Sequence, residues 1–186
     1  MIFNASLATC RGFLVVLWVA LIPLTSFAEQ PVKSIAELDI SRYMGTWYEI
    51  AKLPNWFQRK CIQGTQAQYK ILGPKQIEVT NKCTTAAGEE IKAVGVARPN
   101  SSGQVAQLEV RFAPDWTAWL PLVWGAYWVL DLDSEYQLAA VGDPTRSYLW
   151  ILSRTPAVSA SQYERLLLRL KVMGFDISKL EKTRQN

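Results

Sequence analysis

The sequence predicts an all-β fold, an antiparallel sandwich or barrel of eight strands with one C-terminal helix packed outside it. Three observations carry this expectation. Apolar residues recur with period two along most of the chain, as half-buried strands require. Clusters of Gly, Pro, Asn and Ser cut the pattern at short, even intervals, the spacing of strands in all-β domains. Only one stretch, near the C-terminus, switches to helical period.

Residues 45–53 (GTWYEIAKL) read as the first strand. Residues 61–71 and 76–83 flank Gly73-Pro74 and read as a hairpin, with Ile77 and Val79 alternating with Glu78 and Thr80. The next pair covers 90–98 and 105–112, separated by Pro99-Asn100-Ser101-Ser102-Gly103; in LEVRF, Leu108, Val110 and Phe112 share one face and Glu109 and Arg111 the other. Three more strands are expected over 124–132, 136–141 and 147–154. The helix begins at Ser159, three residues before Gln162 in a capping-box pattern. It carries Tyr163, Leu166, Leu167 and Leu170 at helical spacing and stops at Gly174.

The N-terminus reads as an export signal rather than as structure. Arg11 is the only charge before Glu29, and the apolar run Phe13 to Leu24 is shorter than the roughly 20 residues a bilayer span takes. Ser26-Phe27-Ala28 places small residues for cleavage before Glu29, giving a signal peptide over 1–28 and one domain over 29–186. No cysteine follows the cleavage site, so a lipid anchor is not expected, and the exported chain would be periplasmic or associated with an outer membrane. Cleavage removes Cys10 and leaves Cys61 and Cys83, at mirrored distances from Gly73-Pro74. In an oxidising compartment such a pair is expected to form a disulfide rather than stay as two thiols.

Composition removes several function classes. The formal net charge is +4 over 186 residues, and the Lys and Arg residues are scattered rather than clustered, which argues against nucleic acid as a partner. The chain has no histidine, so Ser-His-Asp and Cys-His catalysis and His-ligated metals are excluded. Glu89 and Glu90 are adjacent on a strand or loop and cannot share a face, and Asp131 and Asp133 are expected to serve turn chemistry. No phosphate-binding glycine loop is present. Catalytic residues, metal ligands and cofactors are therefore not expected.

Two signatures in this order resemble the lipocalin family: Gly45-Thr46-Trp47-Tyr48 with its lead-in from Asp39, and Tyr148 to Pro156 (YLWILSRTP), in the form of bacterial, outer-membrane-lipoprotein-type lipocalins. Gly142-Asp143-Pro144 stands where the family has an aspartate-bearing turn, though without its usual Thr-Asp-Tyr pattern. Lys60-Cys61-Ile62-Gln63 is similar to the apolipoprotein D branch. The resemblance covers about 39–180 and implies an eight-stranded antiparallel up-and-down β-barrel with the helix outside and room for one small ligand. It implies that Trp47 and Arg154 are structural, the guanidinium lying over the indole to close the barrel floor.

It further implies an interior that binds a small hydrophobic ligand, such as a fatty acid or lysophospholipid, for transport or storage in the cell envelope. Period two assigns Glu49 and Ala51 to the lumen face of the first strand, and Val79, Leu108, Val110 and Phe112 to that of the middle strands. Trp128, Leu138, Tyr148 and Trp150 follow from the last three. Glu49 would either pair with a basic residue or meet a ligand head group.

The first and fifth loops lie at one end of such a barrel. They carry Trp56, Phe57, Trp116 and Trp119 with Leu120 and Leu122, beside Arg59 and Lys60. Apolar rims of this kind usually meet a partner, and tryptophan suits a lipid–water boundary. The expected partners are the hydrophobic ligand and, at the rim, a membrane surface or a second copy of the chain. The competing readings are a lipid-modifying enzyme on the same frame and a structural envelope protein or homodimer.

Overall fold

The computed structural model describes residues 30–185; the export segment and its cleavage site lie outside them. In chain order the elements are α1 (Ile40–Tyr43), β1 (Gly45–Lys52), β2 (Gln63–Gly73), β3 (Gln76–Thr84), β4 (Glu90–Pro99), β5 (Gln107–Arg111), β6 (Gly125–Leu132), β7 (Leu138–Gly142), β8 (Leu149–Ser153), α2 (Ala160–Val172) and β9 (Glu181–Lys182). Every neighbouring pair from β2 to β8 is antiparallel, and β1 pairs with both β8 and β2, so the sheet closes into an up-and-down barrel. Closure removes the exposed edges that an open sheet would present.

Two short features escaped the sequence reading. The helical turn α1 crosses the barrel floor, N-capped by Asp39, whose carboxylate accepts from the Ser41 and Arg42 amides. The other is β9. β1 pairs with β2 only over Gly45 to Tyr48; above that, β9 pairs with Ala51 and Lys52, and Arg184 bridges Gln63. The C-terminal segment thus fills the gap where β1 and β2 diverge.

Two apolar clusters occupy the two sides of the barrel wall. One lies in the lumen and contains Trp47, Tyr69, Val79, Leu108, Val129, Val141 and Leu152 among its buried residues. The other lies under α2 and joins Leu166 and Leu170 to Leu130, Ala140, Leu149, Ile151 and Phe175. Helix and barrel are also pinned by Arg169, whose Nε and Nη2 both donate to the Asp131 carboxylate. Ser159 accepts from the Gln162 amide as the capping pattern predicted, and Gly174 adopts a left-handed φ of 85° where the helix stops.

Three lumen assignments are corrected by this arrangement. Ala51, Trp128 and Leu138 belong with the cluster under α2, not with the lumen. In β1 a register shift between Glu49 and Ala51 inserts one residue, which turns Ala51 to the other face. In β6 and β7 both faces are apolar, because α2 covers the outside; Tyr127, Val129, Ala139 and Val141 face inward instead. Asp131 also serves the helix rather than a turn, whereas Asp133 caps the β6–β7 turn by accepting from the Gln137 and Leu138 amides.

The disulfide forms as expected, between Cys61 and Cys83 with a Cα–Cα distance of 5.5 Å and a sequence separation of 22. Closing a loop of that length contributes on the order of 3 kcal/mol. It ties the first mouth loop to the end of β3, fixing the entrance of the barrel as well as its stability.

Candidate ligand site

The floor is built by Trp47 and Arg154. Trp47 has no exposed surface, its indole N–H donates to the Tyr43 carbonyl at 2.8 Å, and the Arg154 guanidinium carbon lies 3.9 Å from its ring centroid. The Arg154 fork donates to the carbonyls of Thr46, Arg42 and Tyr136, knitting β1, α1 and the β6–β7 turn together. Gly45 permits this approach. At φ 94° it takes a conformation that side chains resist, and an added Cβ would stand 3.3 Å from Arg154 Nη1.

The opposite end is open. The β3–β4 register places Ile77 with Ala97, Val79 with Gly95, Asn81 with Ala93 and Cys83 with Ile91 on one lumen-facing file. Ile77, Val79, Gly95 and Ala97 are buried, while Ala93 and Ile91 above them are exposed. Phe112 is likewise 43% exposed although its ring lies over Gly95, where a Cβ would collide with it. Apolar side chains thus face a solvent-accessible lumen above a sealed floor.

At that opening Tyr148 and Trp150 stack with centroids 5.8 Å apart and planes inclined by 7°, and Phe57 lies 5.7 Å from Tyr148 and 6.2 Å from Trp150. A hydrogen-bond chain holds this aromatic wall. Trp150 Nε1 donates to Gln58 Oε1, and Gln58 Nε2 donates to Glu49 Oε2 at 2.7 Å. The other Glu49 oxygen accepts from Thr183 on the C-terminal segment. Glu49 therefore pairs with an amide and a hydroxyl rather than with a base. Gln58 is the link between the first loop, β1 and β8.

Burial pushes the Glu49 carboxyl above its ordinary value of 4.5, partly offset by the hydrogen bonds from Thr183 and Gln58. The folded state then holds this proton more tightly than the unfolded chain, so ionisation costs stability. That cost is absent below about pH 4.5, grows as pH rises through the elevated value, and is complete above it. Glu49→Gln is expected to gain stability relative to the native chain at pH 8 but not at pH 4. Thermal melts of both proteins at the two values would show it, and an identical difference at both would contradict it.

The fifth loop is a rigid mount for its exposed residues. Two guanidinium groups approach Trp124, Arg98 at 3.7 Å and Arg111 at 5.3 Å from its ring, and its indole N–H donates to the Ala118 carbonyl. Arg111, expected on the solvated face, is buried beneath the loop, donating to Ala113 and to Asp115. Two 3-10 turns, Asp115–Thr117 and Pro121–Val123, then hold Trp116, Trp119 and Leu122 outward at 76%, 77% and 98% exposure. Trp56, on the first loop at the same end, is 71% exposed. Arg59 and Lys60 are exposed beside it.

Of the remaining expected positions, Val79, Leu108, Val110 and Trp150 pack in or against the lumen cluster. Sequence reasoning missed the tyrosines of that cluster. Tyr127 Oη lies 2.9 Å from Tyr43 Oη and 2.7 Å from Tyr69 Oη. A signal was present in β2, where Ala67 and Tyr69 alternate with Gln66, Gln68 and Lys70. A cleft of about 180 Å³ is lined by Tyr48, Gln66, Lys82, Cys83 and Gln185. Tyr48, Gln66 and Lys82 lie one rung along from the lumen residues Trp47, Ala67 and Asn81 and so on the opposite, outer face.

A lipocalin-like domain model matches residues 38–185. Temperature-induced lipocalin-1 of Arabidopsis thaliana is 39% identical over 160 residues, covering 85% of each chain. Outer membrane lipoprotein Blc of Escherichia coli K12 is 35% identical over 149 residues, covering 80% of each. Apolipoprotein D of Mus musculus is 33% identical over 155 residues, covering 79% of this chain and 77% of its own. Among solved structures, insecticyanin from the tobacco hornworm Manduca sexta superposes with a TM-score of 0.64 at 23% identity, over 82% of this chain and 83% of that one.

Proposed function

The chain belongs to the lipocalin family, and from that premise we propose that it binds fatty acids, lysophospholipids or similar single-chain lipids and carries or stores them in the cell envelope. The observation that carries the reading is the set of apolar side chains at the open end, Ile91, Phe112 and Phe57, that stay solvent-accessible above the sealed floor. Their burial by an acyl chain supplies roughly 25 cal/mol per Å² of apolar surface removed from water. Apolar walls with a few fixed polar groups are the usual make-up of small-ligand sites. Tyr148, Trp150 and the lumen faces of Val79, Leu108 and Val110 are the proposed wall, with Glu49 acting on the ligand only through Gln58 and the aromatic wall it steadies.

An envelope location is supported by the N-terminal export pattern and by the relative named as an outer membrane lipoprotein. The exposed Trp116, Trp119 and Leu122 are proposed to touch the membrane surface from which ligand is taken. Binding without chemistry is the favoured activity, since no histidine is available and the cysteines of the described residues form a disulfide. Solvent extraction of the purified protein followed by mass spectrometry tests the reading. A bound single-chain lipid is expected. A ligand-free protein that also fails to take up cis-parinaric acid would overturn it.

A further inference from the structure

We propose that the hydroxyls of Tyr43, Tyr69 and Tyr127 form a polar subsite in the lumen that selects ligands carrying a hydrogen-bond acceptor oxygen at the end that enters first. The inference rests on the lumen being the binding site, and it adds what the lumen prefers.

The three side chains come from α1, β2 and β6 and converge through Tyr127, whose hydroxyl is within hydrogen-bond distance of both others. Their rings pack on one another and on Trp47, with Tyr43 5.0 Å from Trp47 and 5.6 Å from Tyr69, so the hydroxyls are held and not free to swing away. Proton counting then leaves a remainder. Three hydroxyls supply three donors, and the two contacts at Tyr127 use two of them. No other hydrogen bond to any of these oxygens is present among the described residues. One donor is thus unspent in a buried setting, where polar groups are normally satisfied.

Burial holds the Tyr69 hydroxyl up at about 12, and those of Tyr43 and Tyr127 well above their usual value, so all three keep their protons at neutral pH. The subsite is therefore a donor and an uncharged one. It suits a carbonyl, hydroxyl or carboxyl oxygen. The surrounding wall is apolar and partly small, with Ala67, Ala97 and Ala139 in the same cluster, so an acceptor brought there meets no competing polar partner. Phenylalanine at these positions would pack the same rings; the hydroxyls add recognition.

The test uses the full chain and matched twelve-carbon ligands, dodecanol, dodecanoic acid and dodecane, each displacing the fluorescent probe N-phenyl-1-naphthylamine. The native protein is expected to prefer dodecanol and the acid to dodecane. The triple variant Tyr43→Phe/Tyr69→Phe/Tyr127→Phe, which removes every donor of the cluster, is expected to reduce that preference about tenfold, the worth of one buried hydrogen bond, while dodecane and the probe stay within about twofold. Tyr127→Phe breaks both contacts and leaves the Tyr43 and Tyr69 donors unspent, so it is expected to keep or raise the preference, and it serves if the triple variant does not fold. Equal loss for all three ligands in the triple variant, no loss for any in it, or a preference lost in Tyr127→Phe would overturn the subsite. A native protein that binds the probe but treats dodecanol and dodecane alike would overturn it while leaving lipid binding standing. A native protein that binds neither probe nor ligand would remove both.

Discussion

Trp47→Ala is expected to destabilise the barrel by about 3–5 kcal/mol, the range for deleting a buried tryptophan, against a total of about 5–15 kcal/mol for a typical domain. The side chain is fully buried, and it couples β1 to α1 and to Arg154. Its ring carries the Arg154 guanidinium and packs against Tyr43, and its N–H satisfies the Tyr43 carbonyl at the end of α1. Truncation leaves that carbonyl without its donor and the guanidinium over a void, so little relaxation can recover the loss. Arg154→Lys is expected to cost less but not little, because an ammonium cannot reach the carbonyls of Thr46, Arg42 and Tyr136 as a planar fork does. The double variant should lose less than the sum of the two, since each single change already breaks the shared contact. Denaturant midpoints of the four proteins measure this. A Trp47→Ala cost below about 1 kcal/mol would show that the floor is not the keystone described.

How far the lumen was legible in the sequence depends on what covers the outside of each strand. In β3 and β5 the outer face is polar, with Glu78, Thr80 and Glu109 between apolar residues, and alternation alone puts Val79, Leu108 and Val110 on the face that packs with the lumen cluster. In β6 and β7 the outer face is roofed by α2, so Trp128 and Leu138 outside are as apolar as Val129 and Val141 inside. Period two then carries no sign, as in any strand buried on both faces. Ala51 failed for another reason: one inserted residue at the β1 register shift reverses the parity of everything after it. Long-range polar contacts were invisible on principle. Nothing local in the chain says that Gln58 joins Glu49 to Trp150, or that Arg98 and Arg111 approach Trp124. The floor was legible because its residues sit in two recognisable signatures. The mouth was legible as composition, but the splitting of its tryptophans into anchored Trp124 and displayed Trp116 and Trp119 needed the fold.

That split sets the second large effect. Replacing Trp116, Trp119 and Leu122 together by alanine is expected to lower the affinity for anionic phospholipid vesicles by at least tenfold without changing the melting temperature by more than a few degrees. Stability should hold because the three side chains are almost wholly exposed and make no contact that the barrel needs, while Trp124, Arg111 and Thr117 keep the loop in shape. Affinity should fall because each tryptophan can bury on the order of 100 Å² at the lipid boundary, roughly 2.5 kcal/mol at 25 cal/mol per Å². A tenfold change needs only 1.4 kcal/mol, so the loss stays measurable even if insertion is shallow. The single change Trp119→Ala should slow transfer of a fluorescent fatty acid from vesicles in the same direction. Vesicle co-sedimentation and transfer kinetics read the two effects. Retained vesicle binding in the triple variant would reject the membrane role of this loop. If the native protein instead runs at twice its monomer mass in size exclusion and the triple variant at one, the loop meets a second copy of the chain. The rigid mount beneath it then serves a dimer interface.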